Sequence, residues 1–482
     1  MKLYKMFKTH SVKRIGKLLN IAIISSFTTF SSYATTINEA LRNAYTMDEN
    51  FFIIQQNFLS HYSDGLDAYT ELMPRISGSV QRIYNRQSIG SDVNKNVTNV
   101  MSLTAHQDLF NFGGTIQRLK SSKNLTKLYV NEFYMQEQKR VLELIKIYLN
   151  FNLAKARLNT IRQEHESSQK LLQFVNTSFR AHQATKMDVS HVQARLSDTK
   201  VELLKAQSEF ESARLDFHMH FGNIGDNTLW PTVASIITPN DLINFTTKIE
   251  NNNLDINKAI YQYLSYKSQV LAATTELLPT LRGQADIKKN FGENANDSIG
   301  PSMDLRLSLD IPIVQGGHNN SVYNKIRKMR NQMRISRRYI EQVKKNVSIN
   351  YKTILQYFND MPQKIKASKD KIQAHKVNFE GMQRKYTEGD ITIDKVLNAQ
   401  STFFNSRIGL IALEQEHIML AYQLRSLIGQ LSIKHMNLGL ENYFDPEFKN
   451  RVKNKKSINV KKRKSTTVVK RTRTIHKRPQ EN

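Results

Sequence analysis

One apolar pattern occurs twice in this chain of 482 residues, and it limits the fold more than any other feature. From Val189 onward, apolar residues recur at alternating steps of three and four: Val189, Val192, Leu196, Leu203, Ala206, Phe210, Ala213 and Phe217. Moved on by 207 residues, the same steps meet Val396, Ala399, Phe403, Leu410, Leu413, Leu420, Leu424 and Leu427. A sustained period of about 3.5 residues describes helices that supercoil left-handedly and pack knobs into holes. Two shorter echoes share nearly the same offset. Leu72-Met73-Pro74-Arg75-Ile76-Ser77-Gly78 resembles Leu277-Leu278-Pro279-Thr280-Leu281-Arg282-Gly283, and Asp108-Leu109-Phe110-Asn111-Phe112-Gly113-Gly114 resembles the segment from Asp310 to Gly316-Gly317. The chain is therefore a duplicated unit of about 205 residues.

Each unit reads in one order: helix, two strands, very long helix, short break, second helix. In the first unit, residues 35–221, a periodic helix runs from about Thr36 to Leu72. It ends before Pro74, because a residue preceding proline avoids the α region. Strands follow at about 75–88 and 97–110. From Gly114 to about Arg180 there is no Pro and no Gly, a helix of roughly 100 Å at about 1.5 Å per residue. In the second unit, 253–435, strands are expected at about 280–291 and 302–314. The long helix there, about His318 to Tyr386, contains Pro362, which is expected to kink or interrupt it. Gly222, Gly225, Pro231 and Pro239 mark the connection between the units, 222–252.

The strands alternate cleanly. Met303, Leu305, Leu307, Leu309 and Ile311 share one face, while Asp304, Arg306, Ser308 and Asp310 take the other. In the preceding strand Leu281, Gly283, Ala285 and Ile287 oppose Thr280, Arg282, Gln284, Asp286 and Lys288. A half-buried soluble sheet gives the same alternation. In an exported protein, four such strands fit a membrane barrel wall with lipid outside and water inside. Four strands cannot close a pore, and open edges are not tolerated in lipid, so several copies must share one barrel.

Export is written at the N-terminus. Lys2, Lys5, Lys8, Lys13, Arg14 and Lys17 precede an apolar stretch, Leu18 to Phe30, and Ser32-Tyr33-Ala34 offers a small-residue cleavage site. That is the layout of a secretory signal over 1–34. Charge supports the division. The chain holds 70 Lys+Arg against 42 Asp+Glu, a net +28, yet 1–34 carries six cations without an acid and 449–482 carries fourteen against one. Only +9 is left for the body, so no nucleic-acid partner is expected. The segment 436–482 is expected to be a disordered, solvated polycation in the periplasm. The absence of cysteine excludes disulfides, thiolate metal sites and an acylated N-terminal cysteine. Outside the N-terminus no apolar run is long enough for a spanning helix.

Other constellations carry little. His218-Met219-His220 does not share a helix face, and His417, on the second seam, is expected to be packed and hydrogen-bonded. No catalytic set stands out, so no enzyme activity, cofactor or metal is expected.

In order and duplication these elements resemble the TolC family of outer-membrane efflux proteins. The resemblance spans nearly all of residues 35–435. It rests on the strand–helix junctions Gly113-Gly114 and Gly316-Gly317 and on two interhelical turns, Ala184-Thr185-Lys186-Met187-Asp188-Val189 and Tyr386-Thr387-Glu388-Gly389-Asp390-Ile391-Thr392-Ile393-Asp394-Lys395-Val396-Leu397. It implies an α+β membrane protein. Three protomers would share a twelve-stranded β-barrel in the bacterial outer membrane, continued by an α-helical coiled-coil barrel in the periplasm. It further implies a passive exit duct, serving a tripartite efflux pump or type I secretion, with a periplasmic adaptor and an inner-membrane transporter as partners. Arg282, Asp286, Asp304, Arg306 and Asp310 would face the lumen. The gate would lie at the two turns, where polar links hold the family's entrance shut: Asp188 and Tyr386 match two linking positions, and Asp394 is counted with them. Departures are Ile391, where a basic partner often stands, and Lys395 and Asn398, where entrance aspartates occur in other members. Lys395 in the lumen would favour anions. Plainer readings stay open, with Asp188 a helix cap and Lys395 on the outer helix face. The competing function is an exported coiled-coil adhesin, which leaves the repeated strand pairs unexplained.

Overall fold

A computed structural model describes residues 35–89, 92–238, 243–291, 301–313, 321–436, 438–440 and 443–447. The expected signal, Gly316-Gly317 and residues 448–482 lie outside the described residues. The two units appear as matched series. In the first, helices α1 (Ile37–Met47) and α2 (Glu49–Thr70) lead into strands β1 (Arg75–Ile89) and β2 (Asp92–Phe110), then α3 (Gly114–Arg180) and α4 (Lys186–Phe221). Between the units lie a short helix α5 (Val233–Ile236) and α6 (Phe245–Asn252). The second has α7 (Leu254–Thr275), β3 (Thr280–Phe291), β4 (Ser302–Asp310), α8 (Val322–Thr387) and α9 (Ile393–Leu427), followed by α10 (Ile433–Met436). Equivalent helices agree closely in length: 22 residues for α2 and α7, 67 and 66 for α3 and α8, 36 and 35 for α4 and α9.

Local chemistry sets the boundaries. Thr36 and Glu39 form a capping box, each side chain accepting the other residue's backbone N–H, and this starts α1. The single helix expected over 36–72 is in fact two. Asp48 leaves the helical region, and its side chain accepts the Asn50 N–H as the cap of α2. Arg140 of α3 then donates to Asp48 at 2.6 Å. Pro362 does not interrupt α8, which runs through it; a helix this long loses one ladder bond there and is held by its neighbours. Strand β3 falls where expected, β2 begins earlier, and β4 stops at Asp310 rather than 314.

The four strands form one antiparallel sheet in the order β1-β2-β3-β4. Their register stacks residues in rows: Ser77 faces Thr104, which faces Asp286, which faces Asp304. A bulge between Asp108 and Phe110 shifts β2 against β3 at the helix end. The main core sits elsewhere, at mid-length of the helices, where Leu41, Tyr148, Phe151, Phe217, Phe221 and Phe245 are almost fully buried. The connection between the units wraps this core. Thr35 bridges Thr228, and the Tyr148 hydroxyl lies 2.9 Å and 2.7 Å from the Thr35 and Leu229 carbonyl oxygens.

The C-terminal segment also belongs to this region. Within the segment 436–482, expected to be a disordered tail, the described residues 438–440 and 443–447 are tied down instead. Asp445 accepts from the Tyr134 hydroxyl at 3.0 Å and pairs with Lys434 at 3.1 Å, and the Phe444 ring rests against Phe58 and Phe133. Beneath it, Glu137 of α3 is buried, with the Tyr443 hydroxyl donating to Oε2 at 3.3 Å and Oε1 unpartnered among the described residues. Burial pushes this carboxyl up to about 8 from its ordinary 4.5. The folded state then holds the proton more tightly than the unfolded chain. Stability from this group is complete below about pH 4.5 and is lost as pH rises through about 8. Glu137→Gln is expected to flatten that decline and to raise the unfolding midpoint above pH 8, read by thermal unfolding of the detergent-solubilised protein across pH.

Candidate functional site: a two-faced sheet and a paired helical tip

The register of the sheet sorts its side chains into two surfaces. One carries Ile76, Val80, Met101, Leu103, Ile287, Leu305, Leu307 and Leu309. Among the described residues no strand contributes an apolar side chain to a buried core, and Leu305 and Leu307 are 74% and 67% exposed. A face this apolar, uncovered among the described residues, needs an apolar medium or another protein against it. The other surface gathers all five expected lumen residues. Arg282 donates to Asp108 at 3.0 Å and to Asp310 at 2.9 Å. Asp286 accepts from Thr104 and Gln284, each at 2.7 Å, and lies opposite Asp304, while Arg306 lies opposite Gln284. At the helix end of the apolar face stand Leu109 and the exposed rings of Phe110 and Phe112, 4.9 Å apart, in keeping with an aromatic boundary.

The junction glycines have separate physical reasons. Gly113 caps α3 at φ +82°, a left-handed conformation that a side chain disfavours, in open space. Gly114 has an ordinary backbone, but a Cβ there would collide with the Thr275 hydroxyl at the end of α7.

At the far end of the helices the tips of both hairpins share one apolar cluster. Leu171, Val175, Val192, Phe379, Ile393 and Val396 form its centre, with Tyr386 and Ile391 packed against it. Ile391 thus has an apolar role at this position. Asp188 and Tyr386 are brought to the same tip but are not bonded within the protomer. The Asp188 carboxylate accepts from the Thr185 N–H at 2.9 Å and from its hydroxyl at 2.8 Å, completing a capping box. The Tyr386 hydroxyl is buried and unpartnered among the described residues, its ring edge-on to Phe174, and burial together with the nearby Asp188 charge raises its pKa. Asp394 does find a partner, one that sequence reasoning missed: His191 Nδ1 lies 2.6 Å from its Oδ1, joining α4 to α9. Lys395 and Asn398 are exposed.

The two repeats differ at one informative point. Thr392 is the counterpart of Thr185, and Lys395 that of Asp188, 207 residues on. With a lysine at the third helical position no box can form, and Thr392 makes no side-chain cap bond. The second tip therefore holds its helix start through Asp394 and His191.

The remaining candidates are accounted for by local contacts. His218 bonds the Gly222 carbonyl and Asp226, whereas His220 turns to Arg140. His417 packs on Phe358, but its Nε2 has no hydrogen-bond partner among the described residues, contrary to expectation; burial lowers its pKa. No helix among the described residues is long and apolar enough to cross a membrane.

A sheet with one polar and one apolar face, continued by helices of about 100 Å, is the architecture of an outer-membrane channel protein. The sequence pattern described as Outer membrane efflux protein matches residues 68–217 and 246–430. The chain belongs to the outer membrane efflux protein family. It is 21% identical over 460 residues to the outer membrane efflux protein BepC of Brucella suis biovar 1 (strain 1330), covering 92% of this chain and 96% of that one. Its fold is shared with the Campylobacter jejuni CmeC outer membrane channel, at TM-score 0.71 and 13% identity over 86% of this chain and 88% of the other. The outer membrane protein VceC of Vibrio cholerae gives TM-score 0.71 and 14% identity, over 82% and 96%.

Two measurements probe this geometry. Gly113→Ala is expected to cost about 1 kcal/mol through its backbone alone, and Gly114→Val more, since Thr275 must move; both are read as lowered unfolding midpoints. Lys395→Asp should build the missing box at the second tip and stabilise it by about 0.5–1 kcal/mol. An unchanged midpoint for that variant would show that the Asp394–His191 pair already holds the helix start.

Proposed function

We propose that this protein is the exit duct of a trans-envelope efflux or secretion machine. Three copies place four strands each into a twelve-stranded barrel, with the helices forming a tunnel on the periplasmic side. The single observation that carries this reading is the sheet itself: two-faced and, among the described residues, without a core of its own and unpaired at both edges, β1 and β4. In lipid an unpaired strand edge leaves backbone groups unsatisfied at several kcal/mol each, so β4 of one copy must pair with β1 of the next. The polar face, with Arg282, Asp286, Asp304, Arg306 and Asp310, then lines the pore. Transport is passive. No bond is made or broken, and the duct's part is to hold a wet path and to open and close it.

The closed end is placed at the helix tips. There the Asp188 carboxylate retains acceptor capacity beyond its cap, and the buried Tyr386 hydroxyl has a proton to donate. These two groups suit a link between neighbouring helix pairs across the entrance, and three copies of Lys395 around it would favour anions. A periplasmic adaptor and an inner-membrane transporter dock at this end. Drug efflux and type I secretion of polypeptides both fit a duct of this shape.

The test is conductance in planar bilayers, with particle imaging as a check on three-fold tubes. Wild type should be mostly closed. Tyr386→Phe, which leaves the Thr185–Asp188 box untouched, should raise conductance several-fold, and Asp188→Ala should do the same. Reversal potentials should show anion preference, reduced by Lys395→Gln. Closed channels in both tip variants would place the gate elsewhere, whereas monomeric rods that do not enter membranes would defeat the barrel reading.

A further inference from the structure

The first and last helices in the protomer's row carry opposite charge. From Glu49 to Met73, through α2, there are four acids and no Lys or Arg. From Arg327 to Lys345, in α8, there are eight Lys/Arg and one acid, Glu341. All eight cations are exposed and make no hydrogen bond or ion pair among the described residues, and the same holds for the Asp67 carboxylate. Asp64 is exposed too, 3.7 Å from His61 of its own helix. Arg327, Arg330, Arg334 and Arg338 follow one another at three and four residues, a spacing at which like charges destabilise a helix unless an opposite charge lies close by.

The duplication shows how two such edges meet. Arg118 of α3 pairs with Glu71, just past α2, at 2.5 Å, and Lys325 of α8 pairs with Glu276, just past α7, at 2.6 Å. These pairs are equivalent, which sets the offset at 207 residues for the long helices and 205 for the short ones. Between them α3 packs on α7. The Ser121 and Ser265 hydroxyls lie 2.8 Å apart, Gln269 donates to Ser121 at 3.2 Å, and Lys127 Nζ lies 5.3 Å from the centre of the Tyr261 ring. Moved by the two offsets, this seam becomes α8 against α2. Lys328 and Ser60 take the places of Ser121 and Ser265, Asp64 that of Gln269, and Arg334 and Gln56 those of Lys127 and Tyr261. Ser265, Ser268 and Ala272 are buried on one face of α7, whereas their counterparts Ser60, Ser63 and Asp67 are exposed. Depths agree as well. Asp64 lies about 9 Å from the sheet end of α2 at Thr70, and Lys328 about 9 Å from the sheet end of α8 at Val322; Gln56 and Arg334 lie about 21 and 18 Å down.

We infer that the acidic edge of α2 is a docking surface for a second copy of this chain, whose α8 sets Arg327, Lys328 and Arg334 against Asp64 and Asp67. Within the protomer, neighbouring strands carry neighbouring helices, α2 on α3, α3 on α7 and α7 on α8. Where β4 of one copy pairs with β1 of the next, α8 and α2 are brought together in the same way. Helical side chains lean toward the N-terminus, so Arg327 reaches up toward the level of Asp67. The inference rests on the trimeric barrel reading and adds what chooses the partner edge. Backbone pairing treats all strand edges alike, but α2 against α2 opposes acids and α8 against α8 opposes cations. Only unlike edges attract, and a head-to-tail contact of that kind closes into a ring.

The chain has no cysteine, so an introduced pair reports one contact. In the full protein in membranes, oxidised S60C/K328C should run as a covalent trimer on a denaturing gel and return to monomer on reduction. Either cysteine alone can link no more than two chains. S121C/S265C, the equivalent pair between α3 and α7, should close within one chain and stay monomeric on the same gel. With no cysteine added, D64K/D67K and K328E/R334E should each lower the trimer recovered in mild detergent by about fivefold or more, and the two combined should restore most of it. Wild-type trimers should melt at lower temperature as salt rises. A trimer in which S60C/K328C does not link would overturn the seam and leave the barrel reading standing. Reversals without effect on the trimer, or a combination no better than either reversal, would do the same. If wild type forms no membrane trimer while S121C/S265C still closes, the protomer fold holds and the barrel reading fails together with the seam.

Discussion

Everything in this molecule depends on how a four-stranded sheet satisfies its edges. Within the protomer β2 and β3 are paired on both sides, while β1 and β4 each have a neighbouring strand on one side only among the described residues. In water such edges would be blunted by charge or bulges, but in a bilayer no solvent exists to meet them. The apolar face forbids water and the free edges forbid lipid, unless the sheet closes with copies of itself. Oligomerisation is thus the condition under which the strands are stable, not an addition to a finished fold.

The helices obey a different rule. A helix of 67 residues satisfies its own backbone, so its stability depends on neighbours only through side chains. Those side chains are concentrated in two places: an aromatic core at mid-length and a smaller apolar cluster at the tip. The mid-length core is locked by the Thr35–Thr228 bridge, the Tyr148 hydroxyl and the C-terminal clamp over Glu137. The tip has a smaller set of aliphatic contacts around Phe379 and Tyr386, and exposed polar links. Such a distribution ties the middle of the helices more firmly than the ends of the hairpins, which suits the proposed opening at one end.

Much of this was legible in the sequence because the governing signals are periodic. The 3.5-residue seams, the period-2 strands and the proline-free stretch from Gly114 to Arg180 placed the long helices and the four strands, with β3 recovered to the residue. What escaped depends on partners far apart in sequence. Nothing local at His191 announces that it meets Asp394, because the pair forms only when two hairpins lie side by side. Asp48 was hidden for the reverse reason: the apolar period continues across it, while the break depends on a side-chain cap and on Arg140. The C-terminal clamp was misjudged as tail because the basic stretch that follows it, 449–482, outweighed two aromatic anchors, Tyr443 and Phe444.

The comparison of the two repeats carries the argument one step further. A duplicated unit begins with identical tips, and here one retains the Thr185–Asp188 box while its copy has Thr392 with Lys395. Removing a capping acid costs a helix start about 1 kcal/mol, and placing a cation near the positive end of the helix dipole adds to that. The second tip is thereby the weaker of the two, held across the hairpins by a histidine–carboxylate pair rather than within its own first turn. An acid in the box stabilises a helix whatever its neighbours do, whereas a bond between helices lasts only while the two stay together. The loss of the box therefore converts local stability into dependence on the neighbouring hairpin, and that dependence lets a tip respond when the hairpins move apart.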